Sequence, residues 1–273
     1  MTTAVLTVAS RARAAHVDRQ RAFLAQLERP DVLRAEAWLD PEPPPGDGIL
    51  VHVPPGEFGL RVGEGRNAAA AAAIAGGADL LIFLDADCLP GPGLIERYEA
   101  VAREPGLYAG PVTYLAEGSL PEDLRSLEAL TRPHAARPWP ADAEVLRADP
   151  AAYDLFWSLS FAVSVSTWEE IGGFSEAFQG YGAEDTDFAW RAREMNVPLL
   201  WVGGAHAYHQ WHPTSDPPWQ HLDDILRNGR RFADRWGQWP MTGWLEAFER
   251  AGAVRRDGDD WVRTSPGSTG PAG

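Results

Sequence analysis

The chain contains no lysine; its 24 basic side chains are all arginine, set against 39 Asp and Glu for a formal net charge of −15 at pH 7. That balance excludes the basic footprint of a broad nucleic-acid binder and a polybasic anchor on an anionic membrane. Beside the abundant alanine, glycine and proline, exclusive arginine reads as codon bias rather than a functional choice. Cysteine is almost as scarce. A single residue, Cys88, excludes an internal disulfide framework and a cysteine-based zinc cluster. With carboxylates beside it, which raise a thiol pKa, it is expected to be a buried structural thiol. No apolar run approaches a membrane span. Met1 leads into a strand-like run without a charged-then-apolar leader, so the expected location is cytoplasmic.

What is present fits one large α/β domain with a helical extension: 273 residues, 45% of them hydrophobic. Apolar runs predict strands over Ala4 to Val8, Leu33 to Leu39, Ile49 to Val53, Leu80 to Leu84, Phe156 to Val165 and Leu199 to Val202. Helical patterns fall over 14–27, 65–75, 119–130, 184–195, 219–236 and 241–251. Strand and helix alternate, which implies a mainly parallel sheet with right-handed crossovers. The reading is one domain over residues 1–254, with 219–254 a helical C-terminal subdomain. Residues 255–273 are expected to be a polar, disordered tail.

Two acidic clusters carry the chemistry. In LLIFLDADCLP, Asp85 and Asp87 directly follow an apolar run. Asp-Ala-Asp alone is common in turns and caps. Here the run from Leu80 to Leu84 reads as a strand buried on both faces, and Pro90-Gly91-Pro92-Gly93 break the chain beyond it. The carboxylates therefore fall at the carboxyl end of a central strand, where open α/β sheets bind ligands. Such hard oxygen ligands suit Mg²⁺ or Mn²⁺, completed by substrate phosphates. In IGGFSEAFQGYGAEDTDFAWRA, Glu184, Asp185 and Asp187 lie behind a glycine-rich loop. Acidic residues favour a helix N-terminus in any case; the functional reading has one carboxylate deprotonating an acceptor hydroxyl.

Gly172-Gly173-Phe174 and Gly180-Tyr181-Gly182 bracket this second cluster and mark turns, or a close backbone approach to substrate. Of the aromatics nearby, among them Trp157, Phe161, Trp168, Phe174 and Tyr181, most belong to a core; a few lining a cleft would suit stacking on sugar rings. His206, His209 and His212 follow the strand Leu199 to Val202. A site built on Asp87 has room for one imidazole, from His209 or His206. A zinc site on His206 and His209 ranks below it, because no second N/S ligand pair is evident.

The order of an opening strand and turn, GRNAAAAAA, FLDAD, GGF, EDTDFAWRA and AYHQ resembles a GT-A fold glycosyltransferase of family 2, close to the branch of β-1,4-galactosyltransferases and chondroitin polymerases. The resemblance runs from Ala4 to His212. It implies a Rossmann-like α/β fold, a UDP-sugar donor, a hydroxyl acceptor, Mn²⁺ or Mg²⁺, and inverting transfer. It further implies that Asp87 and His209 ligate the metal, with Asp85 at its water shell or the ribose, and that Asp185 is the base. Arg66 and Asn67 match a pair that borders the donor, and Ser10, Arg11 and Asp40 lie where the nucleotide would sit. Gly173, Phe174, Tyr181 and Glu184 fall on the acceptor side. Retaining relatives on the same fold tend to carry Glu-Asn where Glu184-Asp185 stands, which favours inversion. A nucleotidyltransferase is the first alternative, but TVASRARAAH lacks the glycine of a phosphate loop. A non-catalytic sugar- or nucleotide-binding relative is the second; intact Asp85, Asp87, Asp185 and His209 argue against it.

Overall fold

The computed structural model describes residues 1–43 and 48–264. In chain order the elements are β1 (Thr3–Ala9), α1 (Ala14–Gln26), β2 (Leu33–Trp38), β3 (Ile49–His52), α2 (Val62–Ala75), β4 (Leu80–Leu84), β5 (Cys88–Pro90), α3 (Leu94–Val101), β6 (Leu107–Ala109) and β7 (Val112–Tyr114). There follow α4 (Leu124–Glu128), β8 (Val145–Arg147), β9 (Ser160–Ser164), α5 (Val165–Ile171), α6 (Glu184–Glu194), β10 (Leu199–Val202), β11 (Ala207–His209), α7 (Leu222–Trp236), α8 (Thr242–Arg250), β12 (Val254–Asp257) and β13 (Asp260–Arg263).

Eight strands form one sheet in the order β3-β2-β1-β4-β9-β6-β10-β8. The β3-β2-β1-β4 half is parallel, as the strand–helix alternation predicts. The other half is mixed: β9 enters antiparallel between β4 and β6, β10 runs parallel to β6, and β8 closes the edge antiparallel. All five residues of β4 are buried, the pattern of a strand covered on both faces. On one face α2 lies close, because its inward positions Ala69, Ala70 and Ala73 are small and fully buried. Strand order reverses between β1 and β4, since β2 and β3 continue from β1 on one side while β4 lies on the other. The carboxyl ends of β1 and β4 thus flank a switch point, the place where such sheets bind ligands.

A second, three-stranded sheet has the order β5-β11-β7. Its register places His209 opposite Cys88 on one side and Tyr114 on the other. Cys88 itself is fully buried, and burial pushes its thiol well above the ordinary range, as expected of a structural cysteine.

Three expectations change at this level. The helix expected over 119–130 shortens to α4, whose Asp123 cap accepts from the Ser126 N–H. Arg66 and Asn67 lie a full turn inside α2, which begins at Val62. The expected tail from residue 255 instead starts as the β12–β13 hairpin. Val254 and Trp261 of this hairpin share a small core with Leu222, Ile225, Leu245 and Phe248 of α7 and α8. Two apolar anchors in an otherwise polar stretch hold the hairpin, a spacing too sparse for composition to reveal. The remainder of the expected tail, 265–273, lies outside the described residues, as do 44–47 of the Pro/Gly loop.

Asp187 also departs from its expected place with the functional carboxylates. It is fully buried on the inner side of α6 and ion-pairs with Arg191 and Arg235, each at 3.2 Å. Trp236 Nε1 donates to it at 3.0 Å. This carboxylate fastens α7 to α6. Asp187→Ala should therefore cost about 3–5 kcal/mol, because it strands buried arginine charge. Urea unfolding of wild type and variant measures this; a loss below about 1 kcal/mol would be that of a surface ion pair.

Candidate functional site

The first cluster forms where β4 ends. The Asp85 N–H donates to the Leu159 carbonyl at 3.0 Å and the Cys88 N–H returns to the Asp85 carbonyl at 2.8 Å, so Asp85 to Cys88 make a tight turn. The Gln210 N–H donates to the Asp87 carbonyl at 2.6 Å, continuing the pairing of β11 on β5 past His209. Two imidazoles thereby reach one carboxylate. His209 Nε2 lies 3.7 Å from Asp87 Oδ1, and His212 Nε2 lies 3.4 Å from Asp87 Oδ2. One ligand atom from each of the three lies within 4.8 Å of the others. Burial lowers the His209 pKa against the pull of Asp87, which keeps a lone pair available for a metal. Burial opposes ionisation of Asp87, but His212, His209 and Arg13 hold it below the usual carboxylate range. Two nitrogens and one oxygen around a common point fit a divalent cation.

His212, not Asp85, completes this triad. Asp85 instead turns to Arg66, with 3.1 Å between Nη2 and Oδ1. His206 is excluded from the triad by strand parity: three residues before His209, it faces the other way and meets Thr113 Oγ1 at 2.7 Å. Burial drives His206 down to about 4.

The second cluster is built by the antiparallel β4–β9 pairing. Leu84 lies opposite Ser160, so Ser158 comes next to the Asp85 turn. Ser158 then donates twice to Asp185, from its N–H to Oδ2 at 3.0 Å and from Oγ to Oδ1 at 2.6 Å. Arg66 Nη1 adds a third contact to Asp185 Oδ1 at 3.2 Å and lies 4.0 Å from Glu184 Oε1. The guanidinium, only 4% exposed, thus joins the two acidic clusters, with its carbon 4.9 Å from the Phe174 ring centre. Burial works against its charge, but Asp85, Asp185 and Glu184 outweigh this and raise its pKa above the arginine norm. Burial pushes Asp85 up to about 6, opposed by Arg66 and assisted by Asp87 and Asp185.

The remaining expected residues divide. Ser10, Arg13, Arg66, Asp85 and Asp87 line one cleft of about 160 Å³ at the carboxyl ends of β1 and β4. Arg13 also reaches Asp87 at 3.5 Å, so it rather than Arg11 faces the cleft. The Arg11 N–H donates to Asp40 Oδ2 at 2.9 Å, and its side chain turns out to Glu42. Asn67 holds the glycine corner: its Nδ2 donates to the Phe174 carbonyl at 2.9 Å and its Oδ1 accepts from the Phe174 N–H at 2.8 Å. Phe174 is core, 2% exposed and stacked on Phe188 at 4.3 Å. Gly173 is structural as well: its φ is +69°, and a Cβ there would lie 2.7 Å from Asn67 Oδ1. Tyr181 is exposed and stacks on His221 at 4.2 Å. Gly180 before it has φ +75° and no room for a Cβ against Asp224. Two functional candidates carry no role in the sequence reading, His212 of the histidine cluster and Ser158, while Arg13, two residues beyond Arg11 in the opening turn, takes the place expected of Arg11.

Known proteins resemble the chain in part. A family model described as the N-terminal domain of galactosyltransferase matches residues 149–212. Validoxylamine A glucosyltransferase of Streptomyces hygroscopicus subsp. jinggangensis (strain 5008) is 29% identical over 168 residues, 52% of this chain. The chain spans only 37% of that relative's length. Among solved structures, GalNAc-T7 with UDP, GalNAc and Mn²⁺ superposes with a TM-score of 0.53 at 15% identity, covering 86% of this chain and 48% of that one. S. aureus TarS 1-349 gives 0.51 at 11% identity, covering 85% and 66%. These structural likenesses establish the GT-A fold. Among the described residues, no helix is long and apolar enough to cross a membrane.

Glu184 gives the site a measurable pH signature. It is pushed up to about 7, first by burial and then by the Asp185 charge, while Arg66 pulls the other way. A carboxyl whose folded pKa is raised keeps its proton longer in the native state than in the unfolded one. Stability from this group is therefore full below about 4.5 and is lost as pH rises through about 7. Glu184→Gln should remove that loss, at most about 3 kcal/mol for a shift of this size. Urea unfolding at pH 4.5 and pH 8 tests it: parallel pH profiles for variant and wild type would contradict the assignment.

Proposed function

We propose that the chain is a metal-dependent, inverting glycosyltransferase that moves a sugar from a UDP-sugar to a hydroxyl acceptor. The observation that carries this reading is the Arg66 bridge. It sets a cleft lined by Arg13, Asp85 and Asp87 beside a carboxylate pair that opens to solvent. A transfer centre needs a place for a departing diphosphate and, a few ångströms away, a base for the incoming hydroxyl. The relatives support the class: one is a glucosyltransferase, and the matching family model is a galactosyltransferase domain.

Asp87, His209 and His212 would hold the metal, and their nitrogen-rich set favours Mn²⁺ over Mg²⁺. When bound, the ion supplies charge neutralisation for the leaving diphosphate. Arg13 and Ser10, lining the same cleft, bind the donor on its nucleotide side. Asp185 accepts the proton of the acceptor hydroxyl as its oxygen bonds to the anomeric carbon. On the opposite side the bond from that carbon to the diphosphate oxygen breaks, and UDP departs with the electron pair. Asp185 suits this role better than Glu184. Its side chain is 28% exposed against 16%, and the two Ser158 donors and Arg66 fix its aim. Glu184 stands beside it, facing the acceptor, as does the exposed ring of Tyr181.

Calorimetry with UDP and Mn²⁺ tests the metal half. Asp87→Ala and His212→Ala should each abolish Mn²⁺-dependent UDP binding, whereas His206→Ala should leave it intact. Retained affinity in His212→Ala would remove that residue from the ligand set. Asp185→Asn should lower turnover by roughly 10²–10⁴-fold with UDP affinity preserved. An active Asp185→Asn beside a crippled Glu184→Gln would exchange the two roles.

A further inference from the structure

Between the metal triad and the base, a continuous line of rings crosses the molecule. His209 stacks on Tyr114 with centres 4.6 Å apart and planes 27° apart. Tyr114 meets His134 at 5.2 Å, and His134 meets Trp157 edge-on at 5.2 Å. Trp157 directly precedes Ser158, the residue that donates twice to Asp185. The line begins on a metal ligand and ends on the positioner of the base. Its four members come from four distant segments: β11, the end of β7, the proline-rich stretch 131–142 and the lead into β9. Tyr114 is 46% exposed, His134 is exposed and Trp157 is partly so. Exposed rings elsewhere, such as Phe58, Trp139 and Trp211, are scattered singly, whereas a contiguous run of rings open to solvent between the triad and the base marks a ligand contact.

Arg137 shows that this surface is held in place. It is 4% exposed, in the same proline-rich stretch as His134. Its guanidinium carbon lies 5.4 Å from the Trp157 ring and 5.0 Å from the Trp201 ring. One nitrogen donates to the Gly110 carbonyl at 3.0 Å, while Nε and Nη1 have no partner among the described residues. Burial pushes its pKa down to about 10, against nearby Tyr98 and Tyr114. A buried arginine with two unpaired guanidinium nitrogens is costly. Clamped between two tryptophans, it fixes the orientation of Trp157 through cation–π contact.

We infer that Tyr114, His134 and Trp157 form the wall against which the transferred sugar ring packs, so that they set which hexose the site accepts. The inference rests on the proposed glycosyl transfer. Under that reading the diphosphate sits at the triad and the acceptor hydroxyl at Asp185, so the ring bonded to the diphosphate must lie between them, alongside this wall. The C–H faces of a pyranose are apolar and its hydroxyls are not. Rigid aromatic faces therefore admit one face and leave the hydroxyl edge to polar groups. The wall would contribute affinity for the sugar and none for the nucleotide.

Calorimetry in saturating Mn²⁺ with UDP, UDP-glucose, UDP-galactose and UDP-N-acetylgalactosamine separates the two. Trp157→Ala should leave UDP affinity within about twofold and weaken the preferred UDP-sugar by about tenfold. Trp157→Phe should restore most of that loss. His134→Ala replaces an exposed side chain, so it serves as the folded control if Trp157→Ala does not fold; it should weaken the same UDP-sugar, by a smaller factor, without moving UDP. Equal effects on UDP and UDP-sugar, or no effect on either, overturn the wall. So does a wild-type chain that binds UDP with no change from any attached hexose. A wild-type chain that binds none of the four with Mn²⁺ defeats the glycosyltransferase reading itself, and the wall with it.

Discussion

The organising interaction of this molecule is the buried guanidinium of Arg66. Four carboxylates converge near the end of β4, and two of them, Asp85 and Asp185, are direct partners of that one cation. Removed from water, such carboxylates repel one another strongly, and without a cation they would take up protons or move apart. Arg66 ties its two direct partners together, and it opposes the burial that still raises Asp85 to about 6. It stands on α2, whose alanine face seats it hard against the sheet, and its flat carbon lies on Phe174, which Asn67 holds by its backbone. The glycine corner, the core ring and the helix interior thus all serve to aim one side chain. Glu184, 4.0 Å from Arg66, is driven up to about 7 by burial and by the neighbouring Asp185 charge.

The triad depends on a different constraint, strand register. Asp87 follows β4 by three positions, whereas His209 and His212 lie more than 120 positions further on. What unites them is the three-stranded sheet, in which β11 pairs with β5 and places His209 opposite Cys88. A one-residue slip would turn His209 inward and bring Tyr208 or Gln210 to Asp87. Tyr208 is itself a register lock: it is fully buried, with its hydroxyl 2.6 Å from Thr131 Oγ1. An apolar core residue therefore fixes the geometry of a polar site on the opposite face of the same strand.

These two constraints explain what the amino-acid order disclosed and what it withheld. The β4 run, the glycine breaks around it and the acidic pair beyond it are local, so the carboxyl-end site was legible. So was the helix start at Glu184, since a glycine-rich loop followed by carboxylates has a local cause. The roles within each cluster were not. Asp85 and Asp87 are two residues apart, yet one turns to Arg66 and the other to the histidines, a division set by α2 and β11 rather than by the motif. Asp187 shares a motif with Asp185 but points inward to α7, because two positions along a helix separate directions by about 200°. His212 lies beyond its strand, where no periodicity predicts direction. Ser158 gave no signal, for its role exists only once β9 pairs with β4. The mixed half of the sheet escaped for a related reason: alternation of strand and helix predicts parallel neighbours, and β9 arrives through a long, largely irregular segment.

Charge makes the final connection between sequence and site. An acidic chain of this kind repels a nucleotide diphosphate over most of its surface. At the site itself, Asp85, Asp87, Glu184 and Asp185 offer four carboxylates against the two guanidinium groups of Arg13 and Arg66. Burial, and after it that deficit of positive charge, is why Asp85 and Glu184 lie above the ordinary carboxylate range. A divalent cation on Asp87, His209 and His212 would close the deficit and reverse the field that a diphosphate meets on entering the cleft. The absence of lysine sharpens the effect, because arginine stays charged at any working pH and in any degree of burial found here. The two fixed cations hold the carboxylates together, and a removable divalent charge would decide whether an anion can join them. In that arrangement the triad governs affinity for the donor, while Arg66 governs the geometry in which the donor meets its acceptor.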